Sequence, residues 1–152
     1  MGVALSSALL AALAAVASLR AGHYANEAMV AQISSANKWS YFQSKSIKES
    51  QLNGKMEIIT ALGKEVSPKD KDKAEEYKRD KSDIQKEAEQ LEHESKHLFH
   101  RHEIMAKAVT FFQVSIAISA IAVLTRRKRF WFVSLGFGGV GVLFLIQGLL
   151  AR

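Results

Sequence analysis

Two uncharged apolar runs, Ala108 to Thr125 and Phe130 to Ala151, are separated only by Arg126, Arg127, Lys128 and Arg129. Roughly 17 to 25 apolar residues let a helix cross the hydrocarbon core of a bilayer, so each run is long enough to span. A third apolar run opens the chain, from Val3 to Leu19, with no charged side chain before Arg20. Ala15-Val16-Ala17 resembles a signal-peptide cleavage site, but no Lys or Arg precedes the apolar stretch, as a signal peptide would require. The start also fits a permissive myristoylation pattern; a retained membrane helix accounts for the same residues more simply. The expected spans are therefore 3–21, 108–125 and 130–151, and the fold class is all-α.

Short loops rich in Lys and Arg stay on the cytoplasmic side. The 126–129 loop and the amino terminus are then cytoplasmic, and the hairpin between the first two spans lies on the far face, which in a bacterium is the periplasm. The net charge of +6 belongs to this topology. Residues 20–107 hold 16 basic and 15 acidic side chains, so nearly all the excess sits in the tetrabasic loop and Arg152. A nucleic-acid partner loses its main support. The chain has no cysteine, which excludes disulfides and thiolate metal sites.

Residues 22–107 read as one helical hairpin. Gly63 is a helix terminator, and Ser67-Pro68-Lys69-Asp70 places a capping residue, a first-turn proline and an acid at the start of the next helix, so the turn is expected near 63–67. Beyond it, Tyr77, Ile84, Leu91, Leu98 and Met105 recur every seven residues, and the companion positions are Ala74, Lys81, Ala88, Ser95 and His102. A stripe this narrow, with small residues beside it, suits one neighbouring helix rather than a globular core. The neighbour is the other arm, through Ala28, Ala31, Trp39, Phe42, Leu52, Met56 and Ile59. Two arms of similar length joined by one turn predict an antiparallel, coiled-coil-like pair whose helices run on into the membrane spans.

Ala21-Gly22-His23 through Asn26-Glu27-Ala28, then Asn37-Lys38-Trp39-Ser40-Tyr41-Phe42-Gln43-Ser44-Lys45-Ser46-Ile47-Lys48, and Leu124-Thr125-Arg126-Arg127 with Trp131, resemble a bacterial family of uncharacterised inner-membrane proteins, the domain of unknown function catalogued as 4337. The resemblance implies a bacterial inner membrane and brings no reaction, cofactor or catalytic residue.

Two motifs resemble chemistry. His93-Glu94-Ser95-Lys96-His97 matches HExxH, in which two imidazoles one turn apart bind zinc and the glutamate activates water. A catalytic zinc needs a third protein ligand and an open position, yet no Asp, Glu or His follows Glu103. What remains is a non-catalytic zinc site, or a pH sensor, built from His93, His97, His100 and His102. Gly136-Phe137-Gly138-Gly139-Val140-Gly141 matches GxGxxG but lies inside an apolar run with no strand before it and no acid after it. The membrane reading explains those glycines better: Ser134, Gly138, Gly141 and Gly148, like Ser7/Ala11/Ala14/Ser18 and Ser115/Ser119/Ala122, are small residues along one helix face that admit a close neighbour. Spacing leaves open whether that neighbour is in the same chain.

The spans contain no ionisable side chain, and Gln113 and Gln147 are their only strongly polar groups; ion-coupled transporters place ionisable groups at that depth. No catalytic constellation and no small-molecule substrate emerges. The expectation is a non-enzymatic structural or accessory subunit of a membrane assembly, with contact residues Trp39, Tyr41, Phe42, Ser134, Gly138 and Gly141. Its partners are membrane lipid, held at Arg126, Arg127, Lys128 and Arg129, and other subunits or further copies of itself. A metal- or pH-responsive module on the histidines is the second reading, and a homo-oligomeric channel the third.

Overall fold

The computed structural model describes residues 2–150. All regular structure among them is helical: α1 runs Gly2–Ala61, α2 Pro68–Thr125 and α3 Lys128–Leu150. Each carries a stretch long and apolar enough to cross a membrane. The expected end of the third span at Ala151 lies outside the described residues. The described residues fall into two compact units, Met29–Ser95 and the set 2–28 with 96–150.

The turn between α1 and α2 forms where expected. Gly63 adopts φ 69°, the left-handed conformation glycine enters without a Cβ penalty. Its amide donates to Thr60 O at 3.0 Å and the Lys64 amide donates to Ile59 O at 3.1 Å, the paired bonds of a Schellman motif that satisfy carbonyls the helix end would otherwise orphan. Ser67 O accepts from Asp70 and Lys71 as α2 begins at Pro68.

In the Met29–Ser95 unit the two helices run antiparallel: as the α1 partner advances through Ser35, Lys45 and Lys55, the α2 partner retreats through Ala88, Asp80 and Asp70. Every anticipated seam position on α2 within this unit, from Ala74 and Tyr77 through Ile84, Ala88 and Leu91 to Ser95, is buried or half-buried. The α1 seam keeps the same period, at 31, 35, 38, 42, 45, 49, 52, 56 and 59, all buried or half-buried. This register corrects the expected role of Trp39, which lies one position past the seam, half-buried and edge-on to Phe42 with ring centroids 5.5 Å apart. Lys38 occupies the seam instead and pairs with Glu87.

In the other unit α3 runs antiparallel to α2 and parallel to α1. Ser134, Gly138, Gly141, Leu145 and Gly148 form its buried edge; each step is four or three residues, the 3.5-residue period that keeps one face against its neighbours. Leu10, Ala17, Ala21, Tyr24, Met105, Ala108, Phe112 and Leu145 make the core. Ser115, Ser119 and Ala122 are buried as expected. On the first helix the expected small-residue edge is only partly right, because Ala11 and Ser18 are exposed. The buried positions there are Leu10 and Ala17, since the seam steps 7, 10, 14, 17 and so shares Ser7 and Ala14 with the expected line but passes one residue before Ala11 and Ser18.

Candidate functional site

The small residues of α3 are consumed inside the chain. A Cβ placed on Gly138 would stand 2.7 Å from Leu10 Cδ2, one on Gly141 2.8 Å from the Phe112 ring, and one on Gly148 2.9 Å from Met105 Cε. Ser115 Oγ donates to Ser134 O at 2.6 Å and Ser134 Oγ donates to Ser115 O at 2.8 Å, a reciprocal pair between two fully buried side chains. In an apolar surround these hydroxyl bonds and close backbone approaches replace hydrophobic driving force between helices. Ser134, Gly138 and Gly141 thus meet neighbours within the chain, one of the two possibilities that spacing left open: the three apolar helices turn these small faces on one another.

The histidines do not converge. His93 and His100 are exposed, and His97 is half-buried with an interaction of its own. His102 lies in the helix seam with Nδ1 2.9 Å from Ala21 O, so that nitrogen carries the proton it donates there. Among the described residues no three His, Asp or Glu side chains form a group able to hold a metal ion. Beside His102, Arg101 Nη2 donates to Tyr24 Oη at 2.7 Å while its guanidinium carbon lies 4.3 Å from the Tyr24 ring centroid, joining α1 to α2 by a charge-assisted bond and a cation–π contact. Sequence reasoning missed this pair, because Tyr24 lies just beyond the apolar run and shows no motif.

On the polar unit, Lys45 sits in the seam with Nζ 2.6 Å from Asp80 Oδ2 and 5.2 Å from the Tyr77 ring centroid. The hydrogen bond that Lys45 donates to Asp80 raises the Lys45 pKa above its ordinary 10.5 against the opposing effect of burial. Lys81 bonds Glu49 at 2.7 Å and lies 5.3 Å over the Phe42 ring. Tyr41 is exposed, and Lys45 also reaches its ring, at 5.5 Å. Of the expected contact aromatics, Phe42 is thus half-spent within the unit, while Tyr41 stays on its surface.

The tetrabasic stretch is exposed throughout. Only Arg126 and Arg127 lie between helices; Lys128 and Arg129 already belong to α3, which shortens the expected four-residue loop because α3 can start as soon as Phe130 N reaches Arg127 O, at 3.2 Å. Arg126 takes φ 52°, the left-handed conformation that non-glycine residues rarely adopt. Arg126, Arg127 and Lys128 line an open cavity of about 590 Å³ whose other walls include Val3, Val123, Trp131 and Phe132. Trp131 is held in place by its Nε1 donating to Ser6 Oγ at 3.2 Å, and a Cβ added at Gly2 would lie 3.6 Å from its Cζ2. Arg129 does not line this cavity.

The family model for a domain of unknown function, DUF4337, matches residues 1–151, and the chain belongs to that family. Comparison with curated proteins finds no match, and comparison with solved structures finds none either.

Proposed function

We propose that this member of the DUF4337 family is a non-enzymatic, three-span protein of the bacterial inner membrane whose Met29–Ser95 unit is an extracytoplasmic antiparallel coiled coil, and that it serves as a structural or accessory element of a membrane assembly. One observation carries the reading. Met29, Val30, Ile33 and Ile47 lie outside the seam of the charged unit, between 55% and 64% exposed, with exposed Tyr41 on the same helix. Met29, Val30 and Ile33 lie within about one helical turn, and Ile47 follows about 21 Å further along the same helix; apolar groups clustered on an otherwise charged surface mark a protein contact, and aromatic residues are enriched in such contacts. The buried serine and glycine edges leave the apolar helices satisfied by one another, so the contact is assigned to the polar unit and not to the spans.

The test is a photo-crosslinking residue placed at Ile33 and at Ile47 in living cells, with Lys86, an exposed charged position, as the comparison site. Discrete adducts at 33 and 47 but not at 86 are expected, together with a copurifying species in mild detergent. A bare monomer with no adduct at either position would remove the accessory role.

A further inference from the structure

We propose that the cavity at the Arg126–Lys128 corner binds the phosphate of an anionic glycerophospholipid headgroup, with the acyl chains leaving along Val3 and Val123. The proposal rests on the three-span reading above and is independent of the accessory role.

Three observations converge on this site. First, Arg126, Arg127 and Lys128 bring three cations to one cavity, and the chain supplies no side-chain carboxylate to neutralise them: residues 1–26 and 104–152 contain no Asp or Glu. Glu103 is the nearest acid along α2, 23 positions before Arg126, which at 1.5 Å per residue is about 34 Å. That distance exceeds the roughly 8 Å Debye length of physiological salt several-fold, so the charge there is available to an external anion. Second, the remaining walls are apolar and aromatic, Val3, Val123, Trp131 and Phe132. A cavity with a cationic rim and an apolar flank matches an amphiphile, whereas a free phosphate would use only the rim. Third, Arg126 holds a left-handed backbone conformation at the end of α2, where glycine would be easier. The bulkier residue places a guanidinium at the cavity, and guanidinium groups bind phosphate oxygens through two parallel bonds.

Arg129 supplies an internal control. It carries the same charge in the same four-residue stretch but does not line the cavity. A headgroup held at a built site depends on Arg127 and Lys128 more than on Arg129; attraction to a diffuse surface charge depends on all of them alike.

Native mass spectrometry of the detergent-solubilised full chain, titrated separately with phosphatidylglycerol, phosphatidylcholine and inorganic phosphate, tests this. We expect one phosphatidylglycerol retained with at least tenfold preference over phosphatidylcholine. That preference should fall about tenfold in Arg127→Gln/Lys128→Gln and in Arg126→Gly, stay within twofold in Arg129→Gln, and survive excess inorganic phosphate. Equal losses in Arg129→Gln and Arg127→Gln/Lys128→Gln would overturn the site in favour of nonspecific attraction, and displacement by inorganic phosphate would overturn its lipid specificity. Alkaline extraction of membranes distinguishes the two levels: release of the wild-type chain refutes the three-span reading, while retained chains that show no lipid preference refute the cavity alone.

Discussion

The edge of Gly141 faces the fully buried Phe112 ring so closely that an added Cβ would lie 2.8 Å from both Cδ1 and Cε1. Gly138 and Gly148 make equally short closest approaches, to the tips of Leu10 and Met105, with Ser115 Oγ at 3.2 Å from the first and Met105 Cγ at 3.2 Å from the second. An aromatic ring cannot yield as a leucine methyl or a thioether end can. Gly141→Ala is therefore expected to destabilise by about 1 to 3 kcal/mol, the usual overpacking cost. Gly138→Ala and Gly148→Ala should stay within about 1 kcal/mol of the parent, because alanine recovers helix propensity. Denaturation in graded SDS, followed by helical circular dichroism, gives the ranking, and equal losses at the three positions would contradict the close Phe112 approach.

Ile84 and Ala88 are both buried in the seam of the polar unit, Ala88 fully, with Ala88 O accepting from Ser35 Oγ at 3.0 Å. Ile84→Ala is expected to cost about 2 kcal/mol or more through lost burial and the cavity left behind, and Ala88→Leu a similar amount through crowding. Lys86→Ala, on the exposed face, should change stability by less than about 0.5 kcal/mol. Thermal unfolding of the three variants separates a packed seam from a solvated one, for which all three would behave alike.

The Lys45–Asp80 bond makes a signed prediction with pH. The pKa of Lys45 is raised in the folded chain above its ordinary 10.5, chiefly by the Asp80 hydrogen bond, so the charged form favours folding. Its contribution is complete below about pH 10 and is lost as pH climbs through the raised value. The wild type should lose more stability than Lys45→Met between pH 9.5 and 11.5, and the two should be parallel between pH 6 and 9. Parallel curves up to pH 11.5 would show that the bond is not formed in solution.

Orientation follows from the tetrabasic stretch through the positive-inside rule. A single cysteine introduced at Gly63 should react with a membrane-impermeant thiol reagent in intact spheroplasts, and one at Lys128 only after lysis. The absence of native cysteine makes the background clean. Labelling of both sites before lysis would rule out an odd number of spans between them.

The seam of α2 was legible in the sequence because Tyr77, Ile84, Leu91, Leu98 and Met105 repeat without interruption. The α1 seam was legible only in part: Ala31, Phe42, Leu52, Met56 and Ile59 stand on it as expected, but Ser35, Lys38, Lys45 and Glu49 occupy its other positions and break the apolar signal that periodicity relies on. Lys45 fills its place with an aliphatic stem, its side chain only 13% exposed, while the ammonium reaches Asp80. The regular spacing of the histidines along one helix gave no account of their surroundings: among the described residues they join no three-ligand group, and the carbonyl of Ala21 engages His102.

Composition and spacing alone determined three apolar helices, the turn at Gly63 and the basic corner, because helix length against bilayer thickness, glycine's left-handed freedom and charge exclusion from lipid act on local sequence. Which helix each small residue meets, and whether Gly141 serves this chain or another, only the tertiary structure decided. Periodicity places a residue on a face; the partner of that face depends on how the antiparallel register brings distant segments together, as it does Phe112 with Gly141, and Arg126 with Trp131 and Val3.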